Sequence, residues 1–242
     1  MPFPRAETEA STALDIKEIR RLQEILHAQS EHALLVVLQG LDTSGKDGTI
    51  RKVFGKIPPL GITAVNFKKP TPDELAHDFL WRIHRAVPPI GMIAIFNRSH
   101  YEDVLVPHVH NLVEPDQIEA RYRQINDFER HLVENRVTII KFFLHISKKE
   151  QRKRLRARLT EPTKRWKFDP HDISERKYWK EYIVAYELAL QHCSTLEAPW
   201  FIVPADRKWY RNAVIARIVH RTLESMDLRY PAEMPDLDRT RI

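Results

Sequence analysis

The residues Gly40-Leu41-Asp42-Thr43-Ser44-Gly45-Lys46 carry the clearest chemistry in the chain. Glycines at this spacing let a short loop turn its backbone N–H groups inward, and the lysine after the second glycine adds a cation. Such a loop suits a phosphate chain when a strand enters it and a helix leaves it, because the helix N-terminus contributes partial positive charge. Lys46 is then the group that neutralises transferring phosphates, and Gly40, Ser44, Gly45, Gly48 and Thr49 are the candidate phosphate-binding positions. Three of the chain's six glycines, Gly40, Gly45 and Gly48, fall in this one stretch. The pattern departs from the usual phosphate loop at Asp47, where Ser or Thr ordinarily offers a hydroxyl to magnesium. Asp42 can supply a hard oxygen ligand instead, and Thr49 is the nearest hydroxyl on the following helix. Asp42 also fits the simpler part of a turn residue or cap.

A second polar cluster, Asn97-Arg98-Ser99-His100-Tyr101-Glu102-Asp103, follows the apolar run Met92–Phe96. Open α/β sheets bind ligands at the carboxyl ends of their strands, so Asn97, Arg98, Glu102 and Asp103 are placed to face the phosphate loop. Arg98 can stabilise charge on a transferring phosphoryl group, while the carboxylates, Glu102 first, can hold magnesium directly or through water. The simpler reading is that Asn-Arg-Ser caps the next helix.

The third signal is charge. The formal net charge is +6, yet Lys148–Lys180 holds thirteen Lys or Arg against five Asp or Glu, which leaves the remainder of the chain net acidic. Arg154, Arg158, Lys164 and Lys167 lie there around Trp166, and Lys68 and Arg82 add positive charge near the same mouth. Arginine forks match phosphate oxygens. A solvated helix face, or a strip for single-stranded nucleic acid with a base stacked on Trp166, would use the same residue types. Twelve histidines show no zinc spacing; His108 and His110 read as incidental residues of a loop. Ser99 lacks the glycine-flanked elbow of a serine hydrolase.

These groups need a scaffold. Apolar, β-favouring runs at Leu34–Leu38, Ile62–Phe67, Met92–Phe96, Thr138–Ile146 and Trp200–Val203 predict five strands. Helical spacing covers Ile16–His27, Gly48–Phe54, Asp73–Arg85, Pro115–Asn135, Lys148–Leu159, Ser174–His192 and Arg207–Met226. Alternation of this kind predicts an α/β fold with a parallel sheet covered on both faces. The prolines of Thr160–Ile173 interrupt two basic helical stretches where a kinase lid would sit. Residues 1–242 read as a single domain, with the lid at about 148–180 and peripheral arms at Pro2–Ser11 and Tyr230–Ile242. With 30% charged residues and no apolar run long enough to cross a membrane, no membrane partner is expected. The acidic start resembles neither a secretory nor a transit signal, so a cytoplasmic location is expected. One cysteine, Cys193, excludes an internal disulfide.

In this order the motifs resemble the polyphosphate kinase 2 family. The marks are Gly40–Thr49, Asn66-Phe67-Lys68-Lys69-Pro70-Thr71, Trp81-Arg82-Ile83-His84, Phe96–Val104, Lys164-Arg165-Trp166-Lys167-Phe168 and Pro204–Tyr210. The resemblance implies a three-layer α/β/α P-loop kinase fold with a helical lid, dependence on Mg2+, and reversible phosphoryl transfer between inorganic polyphosphate and AMP, ADP and ATP. It implies that Asp42 replaces the missing loop hydroxyl. Tyr101-Glu102-Asp103 resembles the subgroup that accepts both AMP and ADP. The rival readings are an ATP-dependent nucleoside monophosphate kinase and a nucleic-acid-binding protein, with no specific nucleic acid expected under the main reading. Assembly into a homo-oligomer is left open.

Overall fold

All five apolar runs form one sheet in the computed structural model, which describes residues 4–232. The strands are β1 (Ala33–Gln39), β2 (Ile62–Asn66), β3 (Ile93–Asn97), β4 (Val137–His145) and β5 (Trp200–Pro204), each within one residue of its expected bounds. Their order is β2-β3-β1-β4-β5, and every neighbouring pair is parallel. β1 is central and buried along its whole length, as its apolar run Ala33–Leu38 requires, with Gln39 buried at its end.

The helices are α1 (Arg5–Gln29), α2 (Lys46–Thr49), α3 (Pro72–Leu75), α4 (Trp81–His84), α5 (Glu102–His110), α6 (Pro115–Glu134), α7 (Lys148–Thr160), α8 (Pro170–Glu175), α9 (Trp179–Cys193) and α10 (Lys208–Ser225). Strand periodicity distributes the core between two layers. Leu34, Val36 and Leu38 face a cluster that includes Ile19, Leu26, Ile215 and Val219 of α1 and α10. Ala33, Leu35 and Val37 face Phe128 and Leu132 of α6, and α5, α6 and α9 pack together on that same side. The result is the expected α/β/α layering.

Several expected bounds need correction. Residues 5–11, expected to be a peripheral arm, form the first turns of α1, where Ser11 Oγ and Asp15 accept bonds from Arg217 of α10 at 2.7 and 2.9 Å. Tyr230–Ala232 has no regular structure, and the rest of the carboxyl-terminal arm lies outside the described residues. The predicted helix Asp73–Arg85 is two short ones. Thr71 and Glu74 form a capping box on α3, and the Asp78 carboxylate accepts from Leu80 N, which restarts the chain as α4. α2 continues into a π-helical turn, Ile50–Phe54. The predicted helix from Ser174 starts earlier, at α8, and passes through a 3-10 turn, Arg176–Tyr178, before α9. The segment expected to act as a lid, called the lid below, consists of α7, a 3-10 turn over Pro162–Lys167 and α8. The helix α5 was not expected, and it carries His108 and His110 in its last turn, not in a loop.

Candidate functional site

The phosphate loop leaves the carboxyl end of β1 with its shape imposed by close contacts. Gly40 has φ +148, and a Cβ there would meet the Leu144 carbonyl of β4 at 2.8 Å. Gly45 has φ +111, and a Cβ there would lie 1.8 Å from Arg211 Nη1. Thr43 takes the left-handed conformation as well, at φ 62. Arg154 on α7 donates to the carbonyls of Thr43, Ser44, Ala205 and Asp206 at 2.8 to 3.0 Å, clamping the loop to the end of β5. Arg211 on α10 donates to the Ser44 carbonyl at 3.1 Å. Lys46 folds over the loop and donates to the Gly40 carbonyl at 2.6 Å. Its burial, and then the nearby Arg98 charge, pull the ammonium down to about 8.

The end of β3 faces this loop. Arg98 sits at φ 64, its N–H donating to the Leu38 carbonyl of β1. Its guanidinium joins two carboxylates, Asp42 at 2.8 Å and Glu102 at 3.0 Å, and Glu102 first, then Asp42, raise its basicity further. Asn97 Nδ2 donates to Asp47 at 2.9 Å, and Lys167 from the lid reaches the other oxygen of Asp47 at 3.4 Å. Thus Asp47, in the place of the usual hydroxyl, links loop, β3 and lid. Arg82 donates to the Lys68 carbonyl at 2.9 Å and to Asp103 at 3.3 Å. Burial raises the Asp103 carboxyl, with Arg82 opposing. Within the lid, Arg158 pairs with Asp172, whose carboxyl rises to about 6 through burial and then the charge of Asp42. Lys164 pairs with Glu161.

All these elements surround one cavity of about 1750 Å³. Its lining includes Asp42, Gly45, Lys46, Gly48, Lys68, Arg82, Asn97, Arg98, Glu102, Asp103, Arg154, Arg158, Lys164 and Lys167, while Gly40, Ser44 and Thr49 support the loop behind it. Because β1 is central, the cavity has two sides. Toward β2 and β3 the wall mixes Phe67, Leu75, Val106, Pro107 and Leu112 with Arg82 and Asp103. Toward β4 and β5 it presents Arg154, Lys164, Lys208 and Arg211. Lys208 and Arg211 were not among the expected residues. Arg211 is 2% exposed, bonds to Asn212 and Ser44 without a carboxylate among its hydrogen bonds, and is pushed down to about 10 by burial and then Arg154.

A divalent cation fits the carboxylates present. Asp42 and Glu102 converge on a single guanidinium, and the loop hydroxyls Ser44 Oγ and Thr49 Oγ1 are buried without a hydrogen-bond partner. No group of three or more His, Cys, Asp or Glu among the described residues is arranged to cage a metal unaided. Magnesium commonly uses one or two carboxylates and completes its shell with water and substrate phosphate.

Comparison with known proteins identifies the family and the fold. The family model for Polyphosphate kinase 2 matches residues 4–231. A Meiothermus ruber protein named AMP/ADP-polyphosphate phosphotransferase is 50% identical over 227 residues, covering 94% of this chain and 85% of its own. A Rhodopseudomonas palustris protein named ADP-polyphosphate phosphotransferase is 42% identical over 236 residues, 91% of this chain and 80% of its own. The crystal structure of Polyphosphate Kinase 2 from Arthrobacter aurescens TC1 superimposes with a TM-score of 0.96 at 41% identity, over 98% of this chain and 85% of that one.

Proposed function

The chain belongs to the polyphosphate kinase 2 family, and from that membership we propose that it catalyses reversible phosphoryl transfer between inorganic polyphosphate and AMP or ADP, forming ADP and ATP. The observation that carries the choice of donor is the wall toward β4 and β5. A nucleoside donor needs an apolar slot for its base beyond the phosphate loop, whereas Arg154, Lys164, Lys208 and Arg211 line that direction. A continuing chain of phosphates suits such a wall. The mixed apolar and polar wall toward β2 and β3 suits a nucleoside acceptor. The name of the Meiothermus ruber relative supports acceptance of both AMP and ADP.

In this reading residues 1–242 act as one catalytic unit with the lid over 148–180, in the cytoplasm, where adenine nucleotides are held. The loop N–H groups of Gly40–Thr49 and the ammonium of Lys46 neutralise the phosphates on either side of the bond that breaks. Arg98 leaves its partners far enough to follow charge on the moving phosphoryl group, and Asn97 keeps Asp47 oriented. Lys68, Arg82, Arg158, Lys164 and Lys167 hold the flanking phosphates. Asp42 and Glu102 would hold Mg2+, which supplies Lewis-acid neutralisation of phosphate oxygens. Transfer is direct, because positioning and charge neutralisation account for most of phosphoryl-transfer catalysis.

The test is incubation with AMP, and separately with ADP, in the presence of polyphosphate and magnesium and without ATP. ATP from both is expected. Transfer to AMP from ATP but none from polyphosphate would overturn the reading in favour of a nucleoside monophosphate kinase.

A further inference from the structure

Glu129 on α6 and Lys141 on β4 occupy register positions that the hydrophobic pattern assigns to the core, and they are 1% and 0% exposed. Lys141 Nζ donates to Glu129 Oε2, to Tyr101 OH at 2.9 Å and to the Cys193 carbonyl at 2.7 Å. Glu129 Oε1 accepts from Tyr101 OH at 3.0 Å and from His100 Nε2 at 3.1 Å. His100 Nδ1 has no partner, so the Glu129 bond selects the tautomer protonated at Nε2. A buried ion pair is no better for stability than apolar side chains of equal volume, because desolvation offsets its attraction. Its presence here calls for an account other than stability.

That account lies in what the pair holds. His100 and Tyr101 fall between Arg98 and Glu102, the two residues joined by a 3.0 Å ion pair on the floor of the cavity. Arg98 is in the left-handed region at φ 64, a conformation that costs an ordinary residue free energy and persists only where the surroundings enforce it. Ser99 Oγ accepts from Tyr101 N at 3.2 Å inside the same turn. Two of the three residues between Arg98 and Glu102 are therefore fastened to one carboxylate, itself fixed by a lysine on a central strand pair.

We propose that the buried Glu129–Lys141 pair positions the transfer site, locking His100 and Tyr101 from beneath so that Arg98 stays aimed at the migrating phosphoryl group and Glu102 stays beside Asp42, where the two would share Mg2+. Neither residue touches substrate, and the catalytic part of the claim rests on the transferase reading above. The charged pair supplies the one acceptor that both His100 and Tyr101 share, which apolar replacements cannot.

Three variants of the full chain test it. Glu129→Leu with Lys141→Met removes both charges at similar volume, Glu129→Gln with Lys141→Met keeps an acceptor for His100 and Tyr101, and Tyr101→Phe removes a single hydroxyl and leaves the ion pair intact. The expected result for the first is a kcat lowered tenfold or more with nucleotide KM within about threefold, a still cooperative but lowered thermal midpoint because His100 and Tyr101 lose their buried acceptor, and faster hydrogen exchange of the peptide 97–103. The Gln-containing variant should recover most of kcat and of the exchange protection. Should the apolar pair not fold, Tyr101→Phe carries the test, with a several-fold loss of kcat at unchanged KM and faster exchange confined to 97–103. Unchanged exchange in that peptide in a folded variant would overturn the anchor whatever the enzyme's substrates prove to be. Faster exchange with unchanged kcat would overturn its catalytic part. A wild-type protein without transfer activity would instead refute the functional reading, and the exchange measurement would still decide the anchor.

Discussion

Replacing Arg211 by Met separates two roles that a buried arginine can have. In the free protein the cation is costly: burial, followed by the charge of Arg154, lowers its pKa from 12.5 to about 10, which corresponds to about 3 kcal/mol against the charged form at neutral pH. Opposing this are bonds to two acceptors, Asn212 Oδ1, which takes both Nε and Nη2, and the Ser44 carbonyl, each contributing about 1.5 kcal/mol to a charged donor. The terms nearly cancel, and methionine fills the space with a flexible apolar chain. The Arg211→Met protein should therefore melt within a few degrees of the wild type, since about 1 kcal/mol moves the midpoint of a chain this size by roughly 2–4 °C. A phosphate loses a charged donor, about 1.5–3 kcal/mol, so the KM for polyphosphate should rise roughly 10- to 100-fold. The KM for the nucleotide, on the other side of β1, should change little. Melting curves and steady-state kinetics with each substrate varied in turn decide the matter. A midpoint lowered by ten degrees or more with an unchanged polyphosphate KM would refute the argument and make Arg211 a strut for the loop at Gly45.

Further outcomes follow from the same geometry. Because burial depresses Lys46 to about 8, its proton is lost at a lower pH than that of a free lysine, and kcat/KM, which reports the free enzyme, should fall as pH rises through about 8; a flat profile to pH 10 would contradict this. Gly45→Ala forces a Cβ to within 1.8 Å of Arg211 Nη1 at φ +111, a strain on the order of 1–3 kcal/mol, and should reduce turnover more than a hundredfold while far-ultraviolet circular dichroism stays native. Lys167→Met removes the 3.4 Å bridge from lid to Asp47; the pair is partly solvated and weak, so hydrogen exchange in 160–175 should rise by less than about tenfold, and a larger rise would make this contact the main closure of the lid. Raising ionic strength should increase the KM for polyphosphate more steeply than that for AMP, because the longer polyanion meets more cations; parallel slopes in salt titrations would argue against the basic wall as its site.

The strands were legible because buried parallel strands spell themselves as continuous apolar runs, and all five fell within a residue of expectation. The two polar clusters at the ends of β1 and β3 were legible for a related reason: a loop rich in glycine and a run such as Asn97–Asp103 have no place inside a core. Less readable were features fixed by the tertiary fold. α5 begins after the reversal at Arg98, whose left-handed φ no propensity assigns to arginine, and it contains Pro107, which reads as a break. The split of the predicted helix Asp73–Arg85 depends on the Asp78 side chain choosing Leu80 N.

Arg211, Lys141 and Glu129 form a separate class, since each is a charge at a core position of an otherwise apolar stripe. Arg211 precedes Ile215, Val219 and Leu223 at helical spacing, on the stripe that α10 buries. Glu129 stands four residues after Ile125 on the buried stripe of α6, and Lys141 interrupts the apolar run of β4. A charge on a polar face needs no explanation, but a charge at a core position must be paired or serve a ligand, because burying it alone is prohibitive. The structure divides the three accordingly. Glu129 and Lys141 find each other, whereas the hydrogen bonds of Arg211 include no carboxylate and its guanidinium borders the phosphate cavity. Reading the register of charges along apolar stripes, in addition to their number, separates the exposed and half-buried cations of Lys148–Lys180 from Arg211, a cation buried at a core position beside the cavity.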